Sequence, residues 1–139
     1  MSGDMGIFRT QVTIEHTARK GARCIVESVM VDTGSELSWF PADVLESIGI
    51  ERQFRKRFRQ ASGAVVEREV GYALLFAAGA WAPDFVVFAN PGDLTLLGAR
   101  SLEGLNLVVD PVNKRLIDAG PLPAAFVSAS DPQRLCRVG

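Results

Sequence analysis

Val29-Met30-Val31-Asp32-Thr33-Gly34-Ser35 joins a run of large aliphatic residues to a carboxylate, a hydroxyl and a glycine. The aliphatic run, β-branched at Val29 and Val31, reads as the end of a buried strand. A strand anchored in this way can hold the Asp32 carboxylate rigidly at its tip, within reach of loop amides. Thr33 offers a hydroxyl that can brace the loop, and Gly34 lets the backbone pass close to a neighbour. The same residues also suit an ordinary loop in which Asp32 only accepts backbone hydrogen bonds.

Toward the N-terminus, Phe8, Thr10, Val12 and Ile14 alternate with Arg9, Gln11 and Thr13, the period of a half-buried strand. A turn over His16 to Gly21 leads into a second strand, Ala22 to Val31, which carries Asp32 beyond its end. On the other side, Pro41 opens a short helix with Val44, Leu45 and Ile48 on its apolar side and Gly49 as its stop. The segment Glu51 to Gln60 mixes Phe54 and Phe58 with Arg52, Arg55, Lys56, Arg57 and Arg59, and fits either a strand or a helical turn.

Ala61-Ser62-Gly63 then reads as a hairpin tip, Ala64 to Phe76 as the returning strand, and Ala77 to Ala80 as a loose connection. Trp81 to Ala89 is a further apolar strand. Beyond the Pro91-Gly92-Asp93 turn come Leu94 to Leu97, Gly98, and a short helix from Ala99 to Leu105. Leu107 to Asp110 and Arg115 to Asp118 form a last hairpin. Short strands with Gly and Pro punctuation predict an all-β fold, a small closed barrel or sandwich with one or two short helices.

A chain of 139 residues supports one domain with a substantial core. That domain is placed at residues 8–118, with 119–139 a C-terminal tail or dimer-contacting extension. Fifteen basic residues balance sixteen acidic ones, which argues against a general nucleic-acid binder while leaving room for a local basic patch. His16 is the single histidine, and Cys24 and Cys136 lack metal-ligand spacing, so no metal site is expected and both thiols read as free. Cys24, without a histidine partner, reads as strand packing and not as a nucleophile. Trp39, Phe40, Tyr72 and Trp81 read as core, interface or strand packing. The N-terminal stretch does not resemble a secretory signal, and the apolar run Ala73 to Trp81 is too short to span a bilayer; a cytoplasmic protein without membrane attachment is expected.

Asp32-Thr33-Gly34-Ser35 resembles the catalytic loop of the retropepsin-like aspartic proteases, particularly their small soluble bacterial members. Other features follow in the family's order. Ala61-Ser62-Gly63, flanked by Phe58 and Val65 to Val70, resembles the tip of its β-hairpin flap. Leu96-Leu97-Gly98-Ala99-Arg100-Ser101-Leu102 resembles its aliphatic pair, glycine and short helix. Asp110-Pro111-Val112-Asn113 resembles the ending of the bacterial relatives.

The resemblance implies a protease without cofactor or metal, in which Asp32 is catalytic and is paired with Asp32 of a second copy in a C2 homodimer. One carboxylate of such a pair acts as general base on a water, and the other, protonated, polarises the peptide carbonyl. Thr33 and Gly34 would support the catalytic loop. Ser35, Ala61, Ser62 and Gly63 would contact an extended peptide substrate. Retroviral members often carry Arg where this chain has Ala99, and Asp where it has Glu36, so a rearranged Glu36–Arg100 ion pair is expected. Against an endopeptidase stand two alternatives: a peptide-binding or adaptor module without turnover, and a nucleic-acid-associated β protein using Arg52 to Arg59.

Overall fold

The computed structural model describes residues 8–125. The elements in chain order are β1 (Arg9–Glu15), β2 (Arg23–Val31), β3 (Ser38–Pro41), α1 (Ala42–Ser47), β4 (Phe54–Arg59) and β5 (Val65–Ala77). They continue with β6 (Ala80–Ala89), β7 (Leu96–Leu97), α2 (Ala99–Leu105), β8 (Leu107–Asp110) and β9 (Arg115–Asp118). The fold is all-β, as the punctuation of the sequence predicts. Seven strands form one sheet in the order β1-β2-β7-β3-β6-β5-β4, and β1 also pairs with β5. The sheet therefore returns on itself and leaves β4 outside the ring, with one edge unpaired among the described residues. Closure of this kind satisfies backbone groups that an open sheet would expose.

The alternation in β1 works as expected: Val12 and Ile14 are fully buried, and Arg9 and Gln11 face solvent. They meet Val29, Phe40, Leu45, Leu75, Val86 and Leu97, all without exposed surface, in one core inside the ring. Both helices lie where their start and stop residues put them. α1 is followed by Gly49 at φ 81°, and α2 ends on Asn106 at φ 57°, a left-handed cap that asparagine tolerates.

The structure differs from sequence expectation in several places. Residues 77–80 are not a loose connection but a tight hairpin turn, with Ala77 paired to Ala80 and positive φ at Ala78 and Gly79. That backbone twist matches the twist of the flanking strands. The ambiguous basic segment is a strand because it finds a partner, pairing with β5 from Phe54↔Val70 to Arg59↔Val65. Of the stretch Leu94 to Leu97, Leu96 and Leu97 form a two-residue strand. Phe40 is core; Tyr72 and Trp81 are 46% and 62% exposed and pack at the surface of the sheet, Tyr72 beside Phe85 at 5.5 Å and Trp81 stacked on Phe76 at 6.2 Å. Phe54, among the basic residues of β4, is likewise exposed. Cys24 is a free, half-buried thiol. Cys136 and most of the proposed C-terminal extension, residues 126–139, lie outside the described residues. Among the described residues no helix is long and apolar enough to cross a membrane.

Candidate active site

β2 carries Asp32 to the edge of the core, yet its sequence neighbour β3 does not lie beside it. β7 stands between them, parallel to β2 through Met30↔Leu96 and Val31↔Leu97 and antiparallel to β3 through Trp39↔Leu96. The loop joining β2 to β3 therefore crosses the end of β7, and backbone bonds tie it there. The Asp32 amide donates to the Leu97 carbonyl at 3.0 Å, and the Ser35 amide donates to the Asp32 carbonyl at 3.2 Å. The carboxylate itself accepts the Gly34 amide at 2.9 Å and is only half-buried, so the loop holds it without covering it.

The first turn of α2 is secured by the same loop. No side chain caps this helix; instead the Ala99 and Arg100 amides donate to the carbonyls of Ser35 at 2.7 Å and Glu36 at 3.0 Å. Orphan donors of a helix start are thus satisfied by the loop that bears Asp32. The approach is so close that a Cβ on Gly98 would stand 2.5 Å from the Leu37 carbonyl oxygen.

Under the loop runs a buried polar chain. The Gly98 amide donates to Ser38 Oγ at 2.9 Å, Ser38 and Ser101 bond through their hydroxyls, and Ser101 donates to Asp84 Oδ2 at 2.7 Å. Its direction follows from counting protons. A carboxylate only accepts, so Ser101 spends its single hydrogen on Asp84 and must accept from Ser38, whose own oxygen takes the glycine amide. Asp84 Oδ1 accepts the Phe85 amide at 2.7 Å and Arg100 Nε at 3.2 Å. Ser101→Ala should interrupt this chain where both serines are fully buried, costing about 1–3 kcal/mol of stability in a urea titration. A loss below a few tenths of that scale would mean water replaces the hydroxyl.

The Glu36–Arg100 ion pair expected from sequence is not formed. Arg100 pairs with Asp84 and lies over the Phe85 ring, 4.8 Å from its centroid, and Glu36 meets Arg100 only through the backbone bond. The physical reason is burial. The Asp84 side chain is 7% exposed and already oriented by Ser101 and the Phe85 amide, whereas Glu36 is in solvent, where an ion pair gains little. Ser38, Asp84 and Ser101 carried no local sign of this role, since their partners lie 17 to 63 residues away in sequence.

Asp32, Gly34, Ser35 and Ala61 all line one open groove of about 950 Å³. The catalytic-loop candidates and the hairpin tip, 26 or more residues apart, thus share a surface in a single chain. Thr33, Ser62 and Gly63 do not line it; Thr33 and Gly34 are both exposed to solvent. The aromatic side of the groove includes Trp39 edge-on to Phe58 at 5.0 Å and Phe54 edge-on to Phe85 at 5.8 Å. Trp39 and Phe58 are half-buried here, so this aromatic surface is shared between core and groove.

The far end of the groove is pinned by a fork: Arg68 Nε and Nη2 donate to the two Asp93 oxygens at 2.7 and 2.9 Å. It joins β5 to the Pro91–Asp93 turn. The bond from Arg68, aided by the Asn90 amide, holds the Asp93 carboxyl below its ordinary value against the opposing effect of burial. A depressed carboxyl stabilises the fold above its unfolded pKa, and that contribution is lost as pH falls through the lower folded value. Asp93→Asn should therefore destabilise the protein by about 1–2 kcal/mol near neutrality. The difference from wild type should shrink in melting curves taken below the ordinary aspartate range. A difference that does not change with pH would show that the fork contributes through shape and not charge.

No family model and no curated protein matches the chain. Among solved structures it is similar to the solution structure of simian foamy virus (mac) protease. The two are 20% identical with a TM-score of 0.46, over 68% of this chain and 91% of that chain.

Proposed function

We propose that the chain is an aspartic endopeptidase that works as a homodimer, with Asp32 of each copy sharing one proton across a bound water. The observation that carries this reading is the placement of Asp32. It stands just past the buried end of β2, Val29 and Val31, is fixed through its backbone to Leu97, and borders a groove that the β4–β5 hairpin tip also lines.

Acid and base must coexist for this chemistry, and two close carboxylates that cannot both ionise supply them. Within one chain the other carboxylates along the groove suit the partner role poorly: Asp93 is tied to Arg68, and Glu36 lies exposed on the same loop. A second copy can approach across the exposed Thr33 and Gly34 and bring its own Asp32. The ionised member of the pair takes a proton from the water as its oxygen attacks the peptide carbonyl carbon. The protonated member donates to the carbonyl oxygen. Collapse of the tetrahedral adduct breaks the C–N bond: the leaving nitrogen takes the proton drawn from the water, and the second carboxylate takes back a hydroxyl proton of the adduct as the carboxyl product forms. An extended substrate is favoured because β4 offers an unpaired edge next to the groove, where a peptide strand can add.

The test is cleavage of a peptide library by purified protein, with Asp32→Asn as matched control and the oligomeric state measured by sedimentation. Cuts that require both Asp32 and the dimer support the reading. A folded dimer with no Asp32-dependent cut removes the hydrolytic role and leaves a peptide-binding module.

A further inference from the structure

The basic segment of β4 and its approach divides into two groups. Arg52 is consumed by Glu46 at 2.6 Å and Glu69 at 2.8 Å, and Arg55 by Glu67 at 3.6 Å. Lys56, Arg57 and Arg59 have no carboxylate partner among the described residues, and all three line the groove. Their cross-strand neighbours do not neutralise them. Lys56 stands opposite Arg68, itself a cation taken by Asp93, and Arg57 stands opposite Glu67, the partner of Arg55. Arg59 faces Val65. A facing pair of like charges such as Lys56 and Arg68 costs stability in a sheet unless something else offsets it.

On this basis we propose that the groove selects polypeptide segments carrying acidic side chains next to the site at Asp32, and that Lys56, Arg57 and Arg59 read those side chains. This rests on the peptide-groove reading above and adds the substrate class. The remaining groove cation, Arg100, is held by Asp84. The uncompensated positive charge therefore lies on the β4 arm, and the free negative charge, Asp32 and Glu36, lies on the loop. A peptide can set Asp or Glu against the arm and neutral residues against the loop. A nucleic-acid strand carries a phosphate at every step and would also bring charge against Asp32 and Glu36.

Binding to the Asp32→Asn protein tests this without requiring turnover. The probes are two extended peptides with the same apolar centre, one flanked by Glu and one by Gln, and a single-stranded RNA oligonucleotide. At low salt the Glu peptide should bind about fivefold to tenfold more tightly than the Gln peptide. Raising the salt past about 0.5 M should remove most of that preference, because exposed charges are screened within a few ångströms there. In the triple variant K56Q/R57Q/R59Q the Glu-to-Gln ratio should fall to about one. The salt titration of the parent protein gives the same information if the variant folds poorly. Equal binding of the two peptides, a preference that survives the triple substitution, or binding of RNA alone would each overturn the proposal. A retained Glu preference in a protein that cuts nothing would count against hydrolysis only.

Discussion

Asp32→Asn is expected to lower kcat/KM for any cleaved peptide by at least about a thousandfold while leaving the fold intact. Asparagine has the shape of aspartate and keeps an oxygen to accept the Gly34 amide at the position where Oδ1 now does so. The bond that ties the loop to β7, the Asp32 amide on the Leu97 carbonyl, belongs to the main chain and is untouched. What disappears is the ability to take and return a proton, and a positioned acid or base contributes about 10²–10⁴-fold. In a homodimer both members of the pair change at once, which places the loss toward the upper end. Steady-state kinetics on one defined peptide, beside a melting curve of each protein, separates chemistry from stability. Residual activity within about tenfold of wild type would remove Asp32 from the mechanism.

The second large effect is structural and centres on Gly98. Its φ is −95°, open to any residue, so the cost of a side chain here comes from contact and not from backbone preference. An added Cβ would meet the Leu37 carbonyl oxygen at 2.5 Å, the Leu37 carbonyl carbon at 2.8 Å and the Ser35 carbonyl oxygen at 2.8 Å. All are backbone atoms of the loop that carries Asp32, and none can swing aside as a side-chain end would. Gly98→Ala must therefore push the loop off α2 and weaken the bonds from Ala99 and Arg100 to Ser35 and Glu36. Overpacking plus lost hydrogen bonding amounts to about 2–4 kcal/mol, read as a lower urea midpoint at unchanged slope. Gly104→Ala is the control. It lies within α2, its Cβ would meet only Ala82 Cβ at an ordinary 3.7 Å, and alanine favours a helix, so it should be neutral or stabilising. Similar losses at both positions would contradict the close-approach explanation.

Much of the local structure could be read from residue order alone. Alternation marked β1, the aliphatic run marked the end of β2, Pro41 and Gly49 bracketed α1, and Ala61-Ser62-Gly63 marked the turn between β4 and β5. These signals depend on neighbours a few residues apart, and tertiary packing did not override them. The β4 segment was ambiguous for the same reason: its phenylalanines and cations satisfy two periodicities, and only pairing with β5 chose between them.

The sequence by itself determined an all-β chain with a carboxylate at a strand end and a hairpin following it. Tertiary structure alone decided that β7 lies between β2 and β3, that the sheet closes through β1 and β5, and that the Asp32 loop and Ala61 border one groove. It also decided that Arg100 turns to Asp84 and not Glu36, and that Lys56, Arg57 and Arg59 stand at the groove with no carboxylate partner among the described residues. Strand and turn preferences are set by steric effects between near neighbours, so they are written locally. The partner of a charge or a hydroxyl depends on which groups lose water together when distant segments pack, and that is settled only when the chain has folded.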